Sequence, residues 1–233
     1  MNIKDSVVLV TGANRGLGHA FAQVLLAAGA KKIYAGARDP VTVKLAGVQP
    51  IRLDVTDPAQ VAAAAKECAD VTLVINNAGI IRSAPIVDPD ADVRAEMETN
   101  FFGPLNVSRA FAPVLARNGG GALVNVLSVL SWVALPGTGL YSASKAAAWA
   151  LTNALRQELQ AQGTQVVALH VGYMDTDMAA HTQAPKSDPL AVARQVLDAV
   201  EQGRDEVLAD AISQQVKAGL SAEPGVYLAR ASG

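Results

Sequence analysis

SVVLVTGANRGLG, residues 6–18, is a valine-rich run that passes straight into a turn holding three glycines. A helical pattern follows at once through Phe21, Val24, Leu25 and Ala28. Strand, glycine turn and helix in that order open a βαβ unit. Gly12, Gly16 and Gly18 remove side chains where a backbone must approach a pyrophosphate, and the helix beginning near Leu17 aims unpaired N–H groups at it. A tight strand-to-helix connection is the plainer alternative. The placing of the turn first in the chain, between a strand and a helix, favours nucleotide binding.

After Gly29 the run Lys32 to Ala35 reads as a second strand, ending in Gly36-Ala37-Arg38-Asp39-Pro40. NAD sites usually put an acid about twenty residues beyond the glycine turn, on the ribose 2′-OH, whereas a cation there suits a 2′-phosphate. Here Arg38 follows Ala37, and Arg15 sits inside the turn itself. Two guanidiniums converging on one phosphate favour NADP(H), because Arg forms bidentate, charge-assisted bonds to phosphate. The competing assignment makes both arginines solvated and gives the 2′-OH to Asp39.

Strand and helix patterns then alternate. Ile51 to Val55 reads as a strand, Pro58 to Lys66 as a helix and Val71 to Ile75 as a strand ending in Asn76-Asn77-Ala78-Gly79. Val87 to Asp92, with Pro89 and three aspartates, reads as a solvated loop and N-cap. Periodicity from Val93 through Met97, Phe101 and Leu105 to Leu115 predicts one long helix with Asn100 inside it, an odd place for a side chain that competes for backbone hydrogen bonds. Either a surface position or a core amide satisfied by a neighbour accommodates it. Ala122 to Leu127 is the next strand, Gly139 to Gln160 a helix and Gln165 to Val171 a sixth strand. Such alternation, with crossovers long enough for parallel pairing, predicts an α/β fold of one domain over residues 1–233.

The segment 128–145, SVLSWVALPGTGLYSASK, carries the chemistry. Tyr141 and Lys145 are four residues apart on a helix and therefore share a face. Ser128, thirteen residues before Tyr141, ends a strand, and a strand end can meet a helix start. In isolation the pair would be an amphipathic edge and the serine a turn residue; with the upstream glycine turn they read as a proton-transfer site.

Composition bounds the rest. A hydrophobic fraction of 51% with 17% charged residues supports a sizeable core. A formal charge of -2 offers no basic face to nucleic acid. No run approaches the eighteen or so apolar residues of a membrane helix, and MNIKDSVVLVTG leaves no room for a signal peptide, so a cytoplasmic location is expected. Cys68 is the one cysteine and reads as a half-buried structural thiol. His19, His170 and His181 lack ligand spacing, so no metal site is expected; His170 reads as a packed strand-end residue.

Taken together, TGANRGLG at 11–18, LDVTD at 53–57, NNAG at 76–79, Asn100, Ser128, YSASK at 141–145 and VGYMDT at 171–176 make the chain resemble the short-chain dehydrogenases/reductases. The motifs follow that family's order over residues 7–178; beyond Met178 the match is to a general plan only. The resemblance implies a Rossmann-type doubly wound parallel sheet of about seven strands. It also implies roles. Gly12, Gly16 and Gly18 would line the pyrophosphate, Arg15 and Arg38 the 2′-phosphate, and Asp54 the adenine edge. Asn76 would brace the central strand, Ala78 and Gly79 lie near the ribose, and Thr176 hold the nicotinamide end. Asn14, Leu17, Val55, Asn77, Gly172 and Met174 fall on the same cofactor path. Tyr141 would be the general acid, Lys145 its activator and a ligand of the ribose hydroxyls, Ser128 the carbonyl binder, and Asn100 the fourth member, beside a water chain from Lys145 to solvent. The family's usual proline before Gly172 is replaced by Val171, which loses a fixed φ at the turn beneath the nicotinamide.

A tyrosine's ordinary pKa of about 10 is high for proton exchange near neutrality, and Lys145 and the positive nicotinamide of an oxidised cofactor are both expected to favour the phenolate. Leu130, Trp132, Val133, Leu135, Leu140, Tyr173 and Met174 flank the site and are mainly apolar, which points to a hydrophobic aldehyde or ketone, with Trp132 the foremost expected contact. The loop over residues 178–189 suits a lid. The apolar faces of the helices at 92–117 and 139–160 exceed what one sheet face needs, and the resemblance implies a homodimer or homotetramer formed through them. Three readings stand open: an NADPH-dependent carbonyl reductase, an alcohol dehydrogenase working oxidatively, and a cofactor-sensing protein without chemistry.

Overall fold

All five residues of β1 (Val7–Thr11) are buried, as expected of a strand covered on both faces in a parallel sheet. The computed structural model describes residues 1–88 and 92–228, so Pro89 and Asp90 of the anticipated acidic loop lie outside it. The described residues form a seven-stranded sheet of order β3-β2-β1-β4-β5-β6-β7, every neighbouring pair parallel. Its other strands are β2 (Lys32–Ala37), β3 (Gln49–Arg52), β4 (Leu73–Asn76), β5 (Ala122–Val126), β6 (Gln165–His170) and β7 (Glu206–Leu208).

Helices cover both faces. On one, α1 (Gly16–Ala27) and α6 (Pro189–Glu201) bury Phe21, Leu25, Val192 and Val196 against Val8, Val10 and Val167. On the other, α2 (Pro58–Glu67), α4 (Gly103–Arg117) and α5 (Gly139–Glu158) bury Val61, Phe111 and Leu155 against Leu9, Val74 and Leu123. Cys68 lies in this second layer, wholly rather than half buried, and burial pushes its thiol up to about 12.

The strand order reverses between β1 and β4. At such a switch point the crossovers leave to opposite faces, and the C-terminal strand ends open a crevice for a ligand. A polar chain crosses the sheet behind it: the Asn76 amide donates to Asn125 Oδ1 at 2.8 Å, and the Asn125 amide to Thr152 Oγ1 of α5 at 2.9 Å. The chain pairs the Asn76 amide nitrogen and both polar atoms of Asn125, which would be costly to bury alone, and it links β4 to β5 and sets α5 on the sheet.

Two expected elements differ. β3 is drawn back to Gln49–Arg52 by its register on Tyr34–Ala37, which puts Asp54 and Val55 in the following loop. The single long helix is interrupted: α3 (Val93–Met97) passes into a π turn at Glu98–Phe102 before α4 begins. Gly103 N–H reaches back five residues to the Glu98 carbonyl, and Pro104, having no N–H, cannot offer the α-helical bond to Asn100. A Cβ on Gly103 would come within 2.7 Å of Val55 Cγ2, so glycine lets the turn close on that loop.

Candidate active site

Gly12 and Gly16 adopt φ of +65° and +54°, values that an L side chain resists. Gly18 is required for another reason: a Cβ there would collide with the Gly12 carbonyl oxygen and crowd the Asn77 amide. The third glycine thus lets α1 pack onto the turn. Arg15 at the N-cap gives α1 no side-chain cap and its first turn holds no acid, so the helix N–H groups face an open anion position. Asn14 is half-buried in the same turn, and Leu17 points into the core. A cavity of about 310 Å³ lies alongside, lined by Gly16, Ala20, Gln23, Thr176 and Leu190 among others. A Cβ on Gly16 would stand 3.5 Å from Thr176 Cγ2, which brings the VGYMDT motif against the glycine turn.

Thr11 is the residue that sequence reasoning missed here. Its hydroxyl accepts from the N–H groups of Asn77 and Ala78, each at 3.0 Å, while the Asn77 amide donates to the Thr11 carbonyl at 2.9 Å. The first and fourth strand ends are stitched together, and the Asn77 side chain is spent on that stitch. Asp54 Oδ1 accepts from Thr56 N–H and hydroxyl, which fixes the loop carrying Asp54 and Val55. Arg38 is exposed at the end of β2, and Asp39 caps the short turn at Pro40–Thr42 by accepting from Val41 N–H. Arg15 lies 3.7 Å from Asp177, both highly exposed.

The second half of the site forms where β5 meets α5. Ser128 ends the β5 segment in extended conformation and caps a single helical turn, with Leu130 N–H donating to its hydroxyl at 3.1 Å and its own N–H donating to Ser131 Oγ. Its hydroxyl also donates to the Val171 carbonyl at 3.5 Å, and it lies near enough to the Tyr141 phenol to ease that group's ionisation. Ser128 and Tyr141, thirteen residues apart in the chain, are therefore joined in space as their spacing suggested. Tyr141 is 9% exposed, and burial above all pushes its phenol up to about 12, against a lowering contribution from Ser128. Lys145, expected to favour the phenolate together with the positive nicotinamide, does not by itself offset this burial. Lys145 donates to the Val126 carbonyl at 2.8 Å, lies 5.7 Å from the Tyr141 ring centroid, and is lowered by burial to about 8.

Asn100 is the satisfied core amide of the two placements open for it. Its amide donates to the Ile80 carbonyl and to Ser144 Oγ, and its Oδ1 accepts from Ile80 N–H at 2.9 Å. One turn earlier, buried Glu96 accepts from Arg82 N–H. Together they clamp the segment that follows NNAG. A Cβ on Gly79 would lie 3.2 Å from Asn100 Oδ1 and 3.7 Å from Lys145 Nζ, so glycine lets these groups close in on the chain that follows β4. Ser144, inside YSASK, donates to the Tyr141 carbonyl and was another residue the sequence did not single out.

Of the expected substrate contacts, Leu130 is buried beside Tyr141, while Leu135 and Tyr173 are 45% and 36% exposed. Trp132 stacks on His170 with ring centroids 3.8 Å apart and meets Trp149 edge-on. Lys217 Nζ lies 5.1 Å from its ring centroid, so Trp132 is held largely by packing. His170 is a packed strand-end residue as expected, its Nδ1 3.1 Å from the Ser128 carbonyl and its pKa lowered by burial to about 4. Met174 packs on the core and bridges Ser187, and Gly172 is half-buried.

A doubly wound parallel sheet with a glycine turn at its switch point, facing a strand-end serine and a helix-borne tyrosine and lysine, defines a nucleotide-cofactor oxidoreductase. The chain belongs to the short chain dehydrogenase family, whose model matches residues 6–187. It is 34% identical to dehydrogenase/reductase SDR family member 7B of Bos taurus over 89% of this chain and 74% of that protein. It is 43% identical to a short chain dehydrogenase from Burkholderia cenocepacia J2315 whose crystal structure is a complex with NADP, with TM-score 0.92 and 96% of each chain covered. A Burkholderia phymatum short chain dehydrogenase/reductase in complex with NAD shares the fold, with TM-score 0.87 at 23% identity over 100% of this chain and 99% of that one. Among the described residues no helix is long and apolar enough to cross a membrane.

Proposed function

We propose that the protein is an NADP(H)-dependent carbonyl reductase acting on a hydrophobic ketone or aldehyde. The observation that carries this is the Ser128 hydroxyl beside a buried Tyr141 phenol that keeps its proton at neutral pH, because a proton donor is what reduction of a carbonyl needs. Arg15 and Arg38 supply the 2′-phosphate cations, and Asp39 is engaged as a cap instead of reaching for a 2′-OH. The NADP complex of the Burkholderia cenocepacia relative supports the same choice.

The residues fit a dinucleotide: left-handed glycines and an uncapped helix start for the pyrophosphate, and Gly79 with Lys145 for the ribose. When bound there, NADPH would supply a hydride for the carbonyl carbon. Tyr141 donates its phenolic proton to the carbonyl oxygen, and Ser128 Oγ donates a hydrogen bond to that oxygen. Lys145, cationic below about pH 8, stabilises the phenolate as it forms. Leu135 and Tyr173 receive the substrate's apolar part. Residues 1–233 act as one domain, in the cytoplasm, and α4 and α5 carry the surface of a homodimer or homotetramer.

Parallel fluorescence titrations test the cofactor: NADPH should bind more tightly than NADH, and the reverse order sinks the assignment. Tyr141→Phe should lose turnover by about a thousandfold or more while NADPH binding stays within about twofold. An active phenylalanine variant refutes the acid role.

A further inference from the structure

Asp210 stands at the N-cap of α7 (Ala211–Gly219), past residue 187 where the family match stops. Helix capping needs one acceptor oxygen, and Asp210 Oδ1 provides it, accepting from Ser213 N–H at 2.9 Å. Its other oxygen leaves the helix altogether. Oδ2 accepts from the Gly172 N–H at 2.7 Å and from the Ser187 hydroxyl at 3.4 Å. Gly172 belongs to the turn after β6, and Ser187 to the returning end of the lid. Those two segments already pair with each other: Ser187 N–H donates to the Tyr173 carbonyl at 2.8 Å, and Asp175 N–H to the Ser187 carbonyl at 3.0 Å. The start of α7 also packs directly on the turn, since a Cβ on Gly172 would come within 2.7 Å of Ile212 Cγ2 and 3.1 Å of Asp210 Oδ2.

We propose that Asp210 is a positioning residue that ties the Gly172 turn, the lid and α7 into one unit, and so sets the nicotinamide end of the site. Resting on the reading of that turn as the nicotinamide side, the assignment gives the carboxylate a task that proline would otherwise share. Proline at 171 would limit the turn through its ring; with Val171 in place, the neighbouring N–H is held from outside by a charged acceptor, a stronger hold than a neutral hydrogen bond. The geometry of the turn then follows α7, and the lid is anchored at Ser187 whatever Asp177 to Pro185 do above the cavity. The adenine half of the site, built on β1 and β2, has no part in this tie.

Asp210→Ser separates the two tasks, because serine caps a helix but is too short to reach Gly172. Its melting temperature should stay close to that of the parent. Gly172 N–H and the peptides spanning 173–188 should exchange hydrogen for deuterium at least about tenfold faster, with the 11–18 turn unchanged. NADPH should bind about tenfold more weakly, while adenosine 2′,5′-bisphosphate, which lacks the nicotinamide half, binds as before. Equal weakening of both ligands, or unchanged exchange at Gly172, overturns the proposal. A parent protein that prefers NADH or binds neither dinucleotide refutes the functional reading instead, and exchange at Gly172 still decides the role of Asp210.

Discussion

Lys145 carries a stability cost that can be measured. Its side chain is 5% exposed, and burial lowers its pKa from 10.5 to about 8. The folded value lies below the unfolded one, so the unfolded chain binds more protons between the two, and this group's contribution to stability rises with pH through that window. Integrated, the penalty on the native state is about 3 kcal/mol at pH 7 and about 1 kcal/mol at pH 10. Lys145→Met keeps the apolar stem and removes the charge. It also leaves the Val126 carbonyl without its 2.8 Å donor, a loss of about 1–3 kcal/mol that does not depend on pH. The absolute difference between variant and parent at one pH therefore mixes opposing effects, whereas its change with pH isolates the charge. Urea unfolding of both proteins at pH 7 and pH 10 should show the variant gaining about 2 kcal/mol on the parent at the lower pH. A difference that is the same at both pH values refutes the reasoning, because the ammonium would then be as well solvated in the fold as out of it.

On the proposed function, Lys145 and Tyr141 also set the pH dependence of activity. The kcat/KM for carbonyl reduction should stay level up to about pH 8 and fall above it as Lys145 loses its proton, since Tyr141 holds its own to about 12; a fall centred near pH 6 would point to another group. At the glycine turn, Gly18→Ala should lower stability by about 1–3 kcal/mol, read as a shifted urea midpoint, because the new methyl collides with the Gly12 carbonyl. An unshifted midpoint would mean that α1 can slide away from the turn at little cost.

Much of the candidate site was legible because its signals are local. The valine run before TGANRGLG, the i, i+4 spacing of Tyr141 and Lys145, and the strand pattern ending at Ser128 each reflect a backbone period, and a backbone period is written in consecutive residues. The parallel fold followed from the alternation of such runs, since strands joined by helical crossovers have few other ways to pair.

Tertiary structure decided what depends on groups distant in sequence. The register of β2 shortened β3 and moved Asp54 into a loop, and the close approach of Gly103 to Val55 accompanies the π turn around Asn100. Neither is visible in a hydrophobic pattern, because each depends on how near a second segment comes. The same is true of charge. From sequence, only the cation beside Tyr141 was visible; in the fold, desolvation of the phenol is the largest influence on it. Thr11 and Asp210 are common residue types at a strand end and a helix cap, and nothing in their neighbours shows which distant groups their side chains meet. Only the meeting of β1 with the end of β4, and of α7 with the turn after β6, turned a hydroxyl and a carboxylate into the ties that hold the two halves of the site.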